Sequence, residues 1–464
     1  MTMGLVRWVI VAAVACSFAC APAKSPYVLD YAFPTAVRLP TTRYRLDNGL
    51  EVILQEDHKS PTVALNIWYH VGSKDDPPGR AGFAHLFEHL MFGGSRHVAE
   101  GEFTAKLRDV GCHDVNATTS FDRTNYFETV PADHLELGLW LESDRMAFLL
   151  DGLNQHAFER ERNVVKNEFR QRNENALFGQ VDSLIYPVLF PGAHPYSHLP
   201  IGDEAQLNAA KLDEVRAFFR TFYVPNNATL VLVGDFESAR TKELIFKYFG
   251  AIPPAKAPPI QRDPTLSSLA REKRLFVEAD VQRGLVVASW PVPPRYAPGH
   301  KELEVGRGVL QGWLWENLVK REKVADAVNV SLQAGQLASV LEVTVTALPN
   351  EPLDRVLKEL DVTLDYARAW RADRVAFSIG RARLLMSNVY GAERFSSRAD
   401  LLNSYNQYAG TPDYIGPELA ARQSVLVEDV RDAFYQFLPF DKRVITFVTP
   451  RDGAPRSGRL VRAE

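Results

Sequence analysis

Cysteine is almost missing from this chain: there are three in 464 residues, Cys16, Cys20 and Cys112, and two of them fall within the first twenty. Such a set builds neither a disulfide framework nor a thiolate zinc cluster, so any metal has to rest on histidine and carboxylate. A surplus of either charge is also lacking. Lysine and arginine total 53 against 57 acidic residues, a net charge of -4, which offers phosphates no cationic field and speaks against nucleic acid as a partner. No apolar run reaches the roughly 20 residues of a membrane span. Compositional bias is absent too: 46% hydrophobic and 24% charged residues are a globular mixture, at a length that suits two or three domains. Cys112, on its own in the body of the chain, reads as a small buried hydrophobe.

The amino terminus, MTMGLVRWVIVAAVACSFAC, has one positive side chain, Arg7, then about twelve apolar residues from Trp8 and then small residues. That length fits the core of a signal peptide. Ala15 before Cys16 and Ala19 before Cys20 resemble bacterial lipoprotein cleavage sites. Residues 1–20 are therefore expected to be a lipoprotein-type signal peptide, with Cys20 preferred and Cys16, a cut after Ala23 or an uncleaved anchor helix as alternatives. Each option exports the protein. Ala21 after Cys20, rather than Asp, favours the outer membrane by resemblance to lipoprotein sorting. The expected place is the bacterial periplasm, with the membrane touched only through a lipid anchor.

From Thr41 onward, strand-like stretches (Leu50 to Leu54, Thr62 to His70, Thr124 to Val130) alternate with helical ones (Gly82 to Phe92, His134 to Leu149, Phe158 to Arg172), which predicts an α+β fold. The proline-rich IPPAKAPPI from Ile252, followed by Asp263-Pro264, reads as a linker over 252–270. It separates a domain at 40–251 from a second at 271–464. At a constant offset of 215, Glu214-Val215-Arg216, Phe219, Phe222, Leu230, Leu232 and Val233 face Asp429-Val430-Arg431, Phe434, Phe437, Ile445, Phe447 and Val448. Each half thus ends in a helix followed by a strand, the mark of a duplicated unit.

Residues 82–92, GFAHLFEHLMF, contain His85-x-x-Glu88-His89. On a helix these three fall within an arc of roughly 100°, while Leu86, Phe87, Leu90 and Met91 cover the rest. Histidines four apart can present two imidazoles to one zinc, and the carboxylate between them reaches a water without being a ligand. Five residues alone also fit a solvated helix face with two surface histidines. A catalytic zinc needs a third protein ligand. In FERERNVVKNEFR (158–170), Glu161 and Glu168 lie seven apart and share a helix face with Val164 and Val165, an unexpected place for carboxylates in bulk water. Glu168 would be the third ligand and Glu161 a supporting carboxylate; an acidic-basic surface helix is the other reading.

HLFEH at 85–89, followed 79 positions after His89 by Glu168 in ERNVVKNE, resembles the pitrilysin, insulin-degrading enzyme and mitochondrial processing peptidase family of inverted zincins. The similarity continues through NATTSFDRTNYF (116–127), HPYSHLPIG (194–202) and FYVPNNATLVLVGDF (222–236), covers the first half and fades in the second. It implies two similar α/β-sandwich domains of the LuxS/metallopeptidase-like kind, each a mixed, mostly antiparallel sheet with helices packed on it. It also implies one zinc per chain on His85, His89 and Glu168, with Glu88 acting on the attacking water and Glu161 in support. The segment Asn116, Ala117, Thr118 and Thr119 resembles the edge strand that accepts substrate as an added strand; an ordinary strand and turn is the other reading.

Chains of this length supply one lobe of a two-lobed chamber in that family, so the second lobe is expected from another subunit. An arginine and, seven residues later, a tyrosine from the far lobe contact substrate there. In LVKREKVADAV, Arg321 fits the arginine but Val328 stands at the tyrosine position. The expectation is a heterodimer with a homologue that lacks the zinc motif and carries Arg and Tyr; a homodimer is the alternative. The function so implied is a zinc metalloendopeptidase acting on peptides or unfolded polypeptides. A non-catalytic structural or binding subunit sharing the fold, or a metal-storing surface, is the alternative.

Overall fold

The offset of 215 recurs in three dimensions in the computed structural model, which describes residues 37–171, 177–256, 269–279, 281–369 and 374–451. Helix Leu212–Phe222 and helix Val427–Phe437 have the same length at that spacing. Both begin with a carboxylate that accepts from the residue ahead of the helix: Lys211 N–H donates to Glu214 (2.9 Å) and Leu426 N–H to Asp429 (2.8 Å). Each satisfies one of the orphan donors of a first turn. A strand follows in both cases. The leader, with Cys16 and Cys20, lies outside the described residues, as do 257–268 of the linker.

The first half holds β1 (Thr42–Arg45), β2 (Glu51–Glu56), β3 (Thr62–Tyr69), β4 (His113–Thr119), β5 (Thr124–Pro131) and β6 (Ala228–Gly234). The second holds β7 (Lys273–Ala279), β8 (Leu285–Val292), β9 (Ala325–Gln333), β10 (Ser339–Ala347) and β11 (Val444–Pro450). The sheet orders are β1-β2-β6-β3-β5-β4 and β7-β11-β8-β10-β9. With β1 set aside, the two orders superpose strand for strand. Each sheet has a single parallel pair, β2 with β6 and β7 with β11, and is otherwise antiparallel. This is the expected pair of α+β sandwiches.

Each half completes the other. The first sheet packs one face on helices of its own half, including Phe83–Leu90, Leu135–Gly152 and Leu212–Phe222. Its other face, with Ile53, Ala64, Val231 and Val233, is covered by Ala399, Leu402 and Tyr405 of helix Phe395–Ala409 from the second half. Helix Leu177–Leu189 of the first half returns the favour, setting Val181, Ile185 and Leu189 on Leu275, Val287, Val340 and Val444. Covered on both faces, β6 reads ATLVLVG without alternation and is buried throughout, as such strands are. The exchange is pinned by polar contacts. Asp400 accepts from Asn66 Nδ2 (3.3 Å), Trp68 Nε1 (3.1 Å) and Asn125 Nδ2 (3.2 Å). Asp400→Ala leaves three donors short of an acceptor, and a loss of about 1–3 kcal/mol is expected in urea unfolding; a midpoint unchanged from the parent would show that water replaces the carboxylate without cost.

Candidate metal and peptide site

Helix Phe83–Leu90 starts at Gly82, whose φ of 98° is left-handed and therefore suits glycine. The Asp76 carboxylate accepts from Gly82 N–H (2.7 Å) and Ala84 N–H (2.9 Å), closing the first turn. From the HPYSHLPIG segment, Gly202 presses on the same turn: a Cβ there would meet Ala81 O at 2.4 Å. Leu86, Phe87 and Leu90 are buried in the core, and Tyr126 donates its hydroxyl hydrogen to Phe87 O (3.1 Å). So anchored, the helix turns His85, Glu88 and His89 to the side where helix Gln155–Phe169 crosses it.

Glu168 comes from that second helix. Its Oε2 lies 3.0 Å from His89 Nε2 and 3.7 Å from His85 Nε2, and the three donor atoms all lie within 4.8 Å of one another. Ligands at about 2.0–2.1 Å around a tetrahedral zinc stand about 3.3 Å apart, so the two separations bracket the spacing that the ion requires. Two imidazoles and a carboxylate are also a zinc-type donor set with a fourth position open. Among the described residues this is the one group of three such donors. In the second half, Gly299 opens helix His300–Leu314 as Gly82 opens the first; Glu302, Val305 and Gly306 then stand where His85, Glu88 and His89 do.

Glu88 belongs to the same face but not to the triad. Its Oε2 accepts from the Thr119 hydroxyl at 2.6 Å. Burial holds its carboxyl above the usual carboxylate range, against the opposing pull of Thr119 and His89. For His89, burial acts downward, but the hydrogen bond to Glu168 and the charges of Glu168, Glu88 and Glu161 lift it above its ordinary value. Glu161 is therefore within electrostatic reach of the cluster. Its carboxylate accepts from Arg160 Nε at 2.9 Å. Val164 does not share its shielding, being 43% exposed, whereas Val165 is buried. The valine pair thus misstates the local environment, and Glu168 is shielded by the crossing helix instead.

Asn116, Ala117 and Thr118 lie on β4, the outermost strand of the first sheet. Ala117 is buried, and Thr119, two residues on, shares its face and reaches Glu88. Ala117 N–H is held by Asn116 Oδ1 of its own strand (2.9 Å). Arg321 stands apart from this cluster, on the surface of the second half, with its Nε 3.6 Å from Glu316. Val328 is on β9 with its side chain in the second core. Cys112 is half-buried against the first core, and burial, with Glu128 nearby, pushes its thiol up to about 12; it is a packing residue and not a nucleophile. Asp76 is a residue that sequence reasoning left without a role, and Thr119, expected only as part of the edge strand, proves to hold Glu88 as well.

Two metallopeptidase-type sandwiches, one bearing an inverted His-x-x-Glu-His helix beside a free sheet edge, define the class. Residues 51–186 match the family described as insulinase (peptidase family M16), and residues 209–374 match the peptidase M16 inactive domain. The chain belongs to the peptidase M16 family. It is 28% identical over 407 residues to the zinc protease PqqE of Helicobacter pylori, an alignment covering 84% of this chain and 89% of that one. Its fold is that of a protease from Helicobacter pylori (TM-score 0.82, 23% identity, 89% of this chain and 100% of that one). The periplasmic protease PqqL from Escherichia coli also has it (TM-score 0.73, 18% identity, 89% of this chain), and there the match takes up 48% of the longer chain.

Proposed function

We propose that this chain is one lobe of a zinc-dependent endopeptidase that hydrolyses peptides or unfolded polypeptides. The observation that carries the reading is the convergence of His85, His89 and Glu168 donor atoms from two helices, with Glu88 alongside and outside the triad. His85, His89 and Glu168 would hold one zinc per chain. A zinc ion there supplies Lewis acidity, polarising the scissile carbonyl and easing deprotonation of a water near neutral pH.

The chain's own residues do the rest. Glu88, raised by burial and aimed by Thr119, takes the proton of the attacking water and passes it to the leaving amine. Glu161 biases the charge around His89 and supports the ligand set. The β4 edge at Asn116, Ala117 and Thr118 receives an extended peptide through main-chain hydrogen bonds, the Asn116 bond to Ala117 N–H giving way to a substrate carbonyl.

Zinc near one per chain, activity abolished by chelation and restored by zinc, is the expected result; activity that survives complete metal removal would refute the reading. Histidine ligands must shed their protons to bind, so zinc affinity falls on acidification, and competition titrations with a chelator at several pH values measure it.

A second lobe closes the chamber. Support comes from the Escherichia coli relative, whose structure is about twice as long as this lobe, and from Val328 at the tyrosine position. The partner is a homologue without the zinc motif that brings Arg and Tyr, with Arg321 of this chain in the equivalent place. Activity only after mixing with such a homologue is the expected outcome, and full activity of the chain alone would favour a homodimer. Export to the periplasm with Cys20 lipidated and anchored in the outer membrane belongs to the same reading; among the described residues no helix is long and apolar enough to cross a membrane. Fractionation of cells making the full chain, against Cys20→Ala, tests it.

A further inference from the structure

The second sheet also ends in a free edge, and that edge is closed by side chains. β9 is outermost in its sheet as β4 is in the first, and helix His300–Leu314 lies against β9 as the motif helix lies against β4. From that helix Gln311 reaches the strand with both ends of its amide. Its Nε2 donates to Val328 O (2.6 Å) and its Oε1 accepts from Val330 N–H (2.7 Å). Arg307, one turn earlier on the same face, donates from Nη1 to Val330 O (3.3 Å).

The pattern is that of a strand. In a parallel pair, one residue of the incoming chain bonds the carbonyl of one residue and the N–H two positions further on. Gln311 does this to 328 and 330. Val328 and Val330 face Val345 and Val343 of β10 in register, and Val328 O, Val330 N–H and Val330 O at the middle of β9 are taken up by the helix. On β4 the corresponding helix touches the strand through a hydroxyl, Thr119 to Glu88, and the Ala117 N–H is held only by the side chain next to it. An exposed strand edge is a standing invitation to extended chains; beside the metal donors, among the described residues, the motif helix bonds no main-chain group of β4, where Arg123 Nη1 reaches Thr118 O (2.8 Å), whereas the helix of the second half bonds the main chain of β9 directly.

We propose that Gln311 and Arg307 are a built-in strand mimic that shuts the second half to extended peptides and confines strand addition to β4. The proposal rests on the reading that β4 takes the peptide, but its test separates the two. In a Glu88→Gln background, where bound peptide stays intact, a fluorescein-labelled unstructured peptide is titrated into the zinc-loaded full chain with and without Gln311→Ala and Arg307→Ala. One peptide per chain is expected in the parent and two in the opened variant, with added peptide slowing hydrogen exchange across 325–333 only in the latter. No binding in the parent but one peptide in the opened variant, mapped to 325–333, would uphold the plug while removing the β4 reading. An unchanged stoichiometry, or protection of 325–333 already in the parent, would overturn the plug. If the double variant does not fold, Gln311→Glu serves in its place: it keeps the acceptor for Val330 and loses the donor to Val328, so a weaker second site is expected, and the parent stoichiometry would again count against the proposal.

Discussion

If the chain is the proposed peptidase, replacing Glu88 by Gln is expected to lower kcat by about 10²–10⁴-fold, the share that a positioned acid–base group contributes, while zinc content stays at the parent level. The two halves of that result have separate causes. The triad is His85, His89 and Glu168, so the substitution removes no ligand. The amide oxygen of Gln accepts from Thr119 as the Glu88 carboxylate does at 2.6 Å, so the side chain keeps its place and KM changes little. What the amide cannot do is take a proton from water. A barrier higher by about 3–5 kcal/mol follows. Glu168→Gln should behave differently, losing zinc and activity together because it strips a charged ligand. Metal analysis alongside steady-state kinetics distinguishes the two variants. Parent-like kcat for Glu88→Gln would remove Glu88 from the reaction and leave a metal-holding, non-hydrolytic lobe.

The helix face that carries two of the metal donors was legible because it is local. His85, Glu88 and His89 share one helical arc whatever the tertiary fold, and Glu168 sits at a fixed distance along the chain. The duplication showed for the same reason, since the helix and strand at offset 215 repeat an amphipathic pattern and a capping carboxylate. Contacts that join distant segments left no periodic trace. Asp76 caps the motif helix from a turn before it, and Thr119 reaches Glu88 across 31 residues. The reciprocal exchange of helices Leu177–Leu189 and Phe395–Ala409 is invisible in pattern alone, because a helix's apolar face does not say which sheet it meets. Val164 misled by its type: a valine at one helical position away from Val165 points some 100° around the axis, and here that direction is solvent.

Beneath the motif helix lies a charge cluster that is expected to decide the stability of the first half. Arg145 and Glu142, both almost fully buried on helix Leu135–Gly152, are joined through Arg145 Nε to Glu142 Oε2 at 2.8 Å. The guanidinium lies over Tyr126 (4.3 Å), Phe103 (4.4 Å) and Phe92 (5.4 Å). Tyr126 in turn holds Phe87 O of the motif helix. Arg145→Ala strands a buried carboxylate and empties the space between three rings, so a loss of about 3–5 kcal/mol is expected. Glu128 on β5, buried beside them, should respond in the opposite sense. Burial and the charge of Glu142 push its carboxyl well above the usual range. The guanidinium then sits between the Glu142 carboxylate, to which it donates, and a Glu128 carboxyl that burial drives toward its protonated form. A carboxyl whose folded pKa is raised stabilises the fold fully below its unfolded pKa of about 4.3 and loses that contribution as pH rises toward the folded value. Gln keeps the shape of the protonated acid and has no proton to lose. The stability of Glu128→Gln relative to the parent should therefore grow between about pH 4 and pH 7, read from urea unfolding midpoints. A Gln variant weaker than the parent at neutral pH would mean that Arg145 draws on a charged Glu128, and that the cluster is held by two ion pairs in place of one.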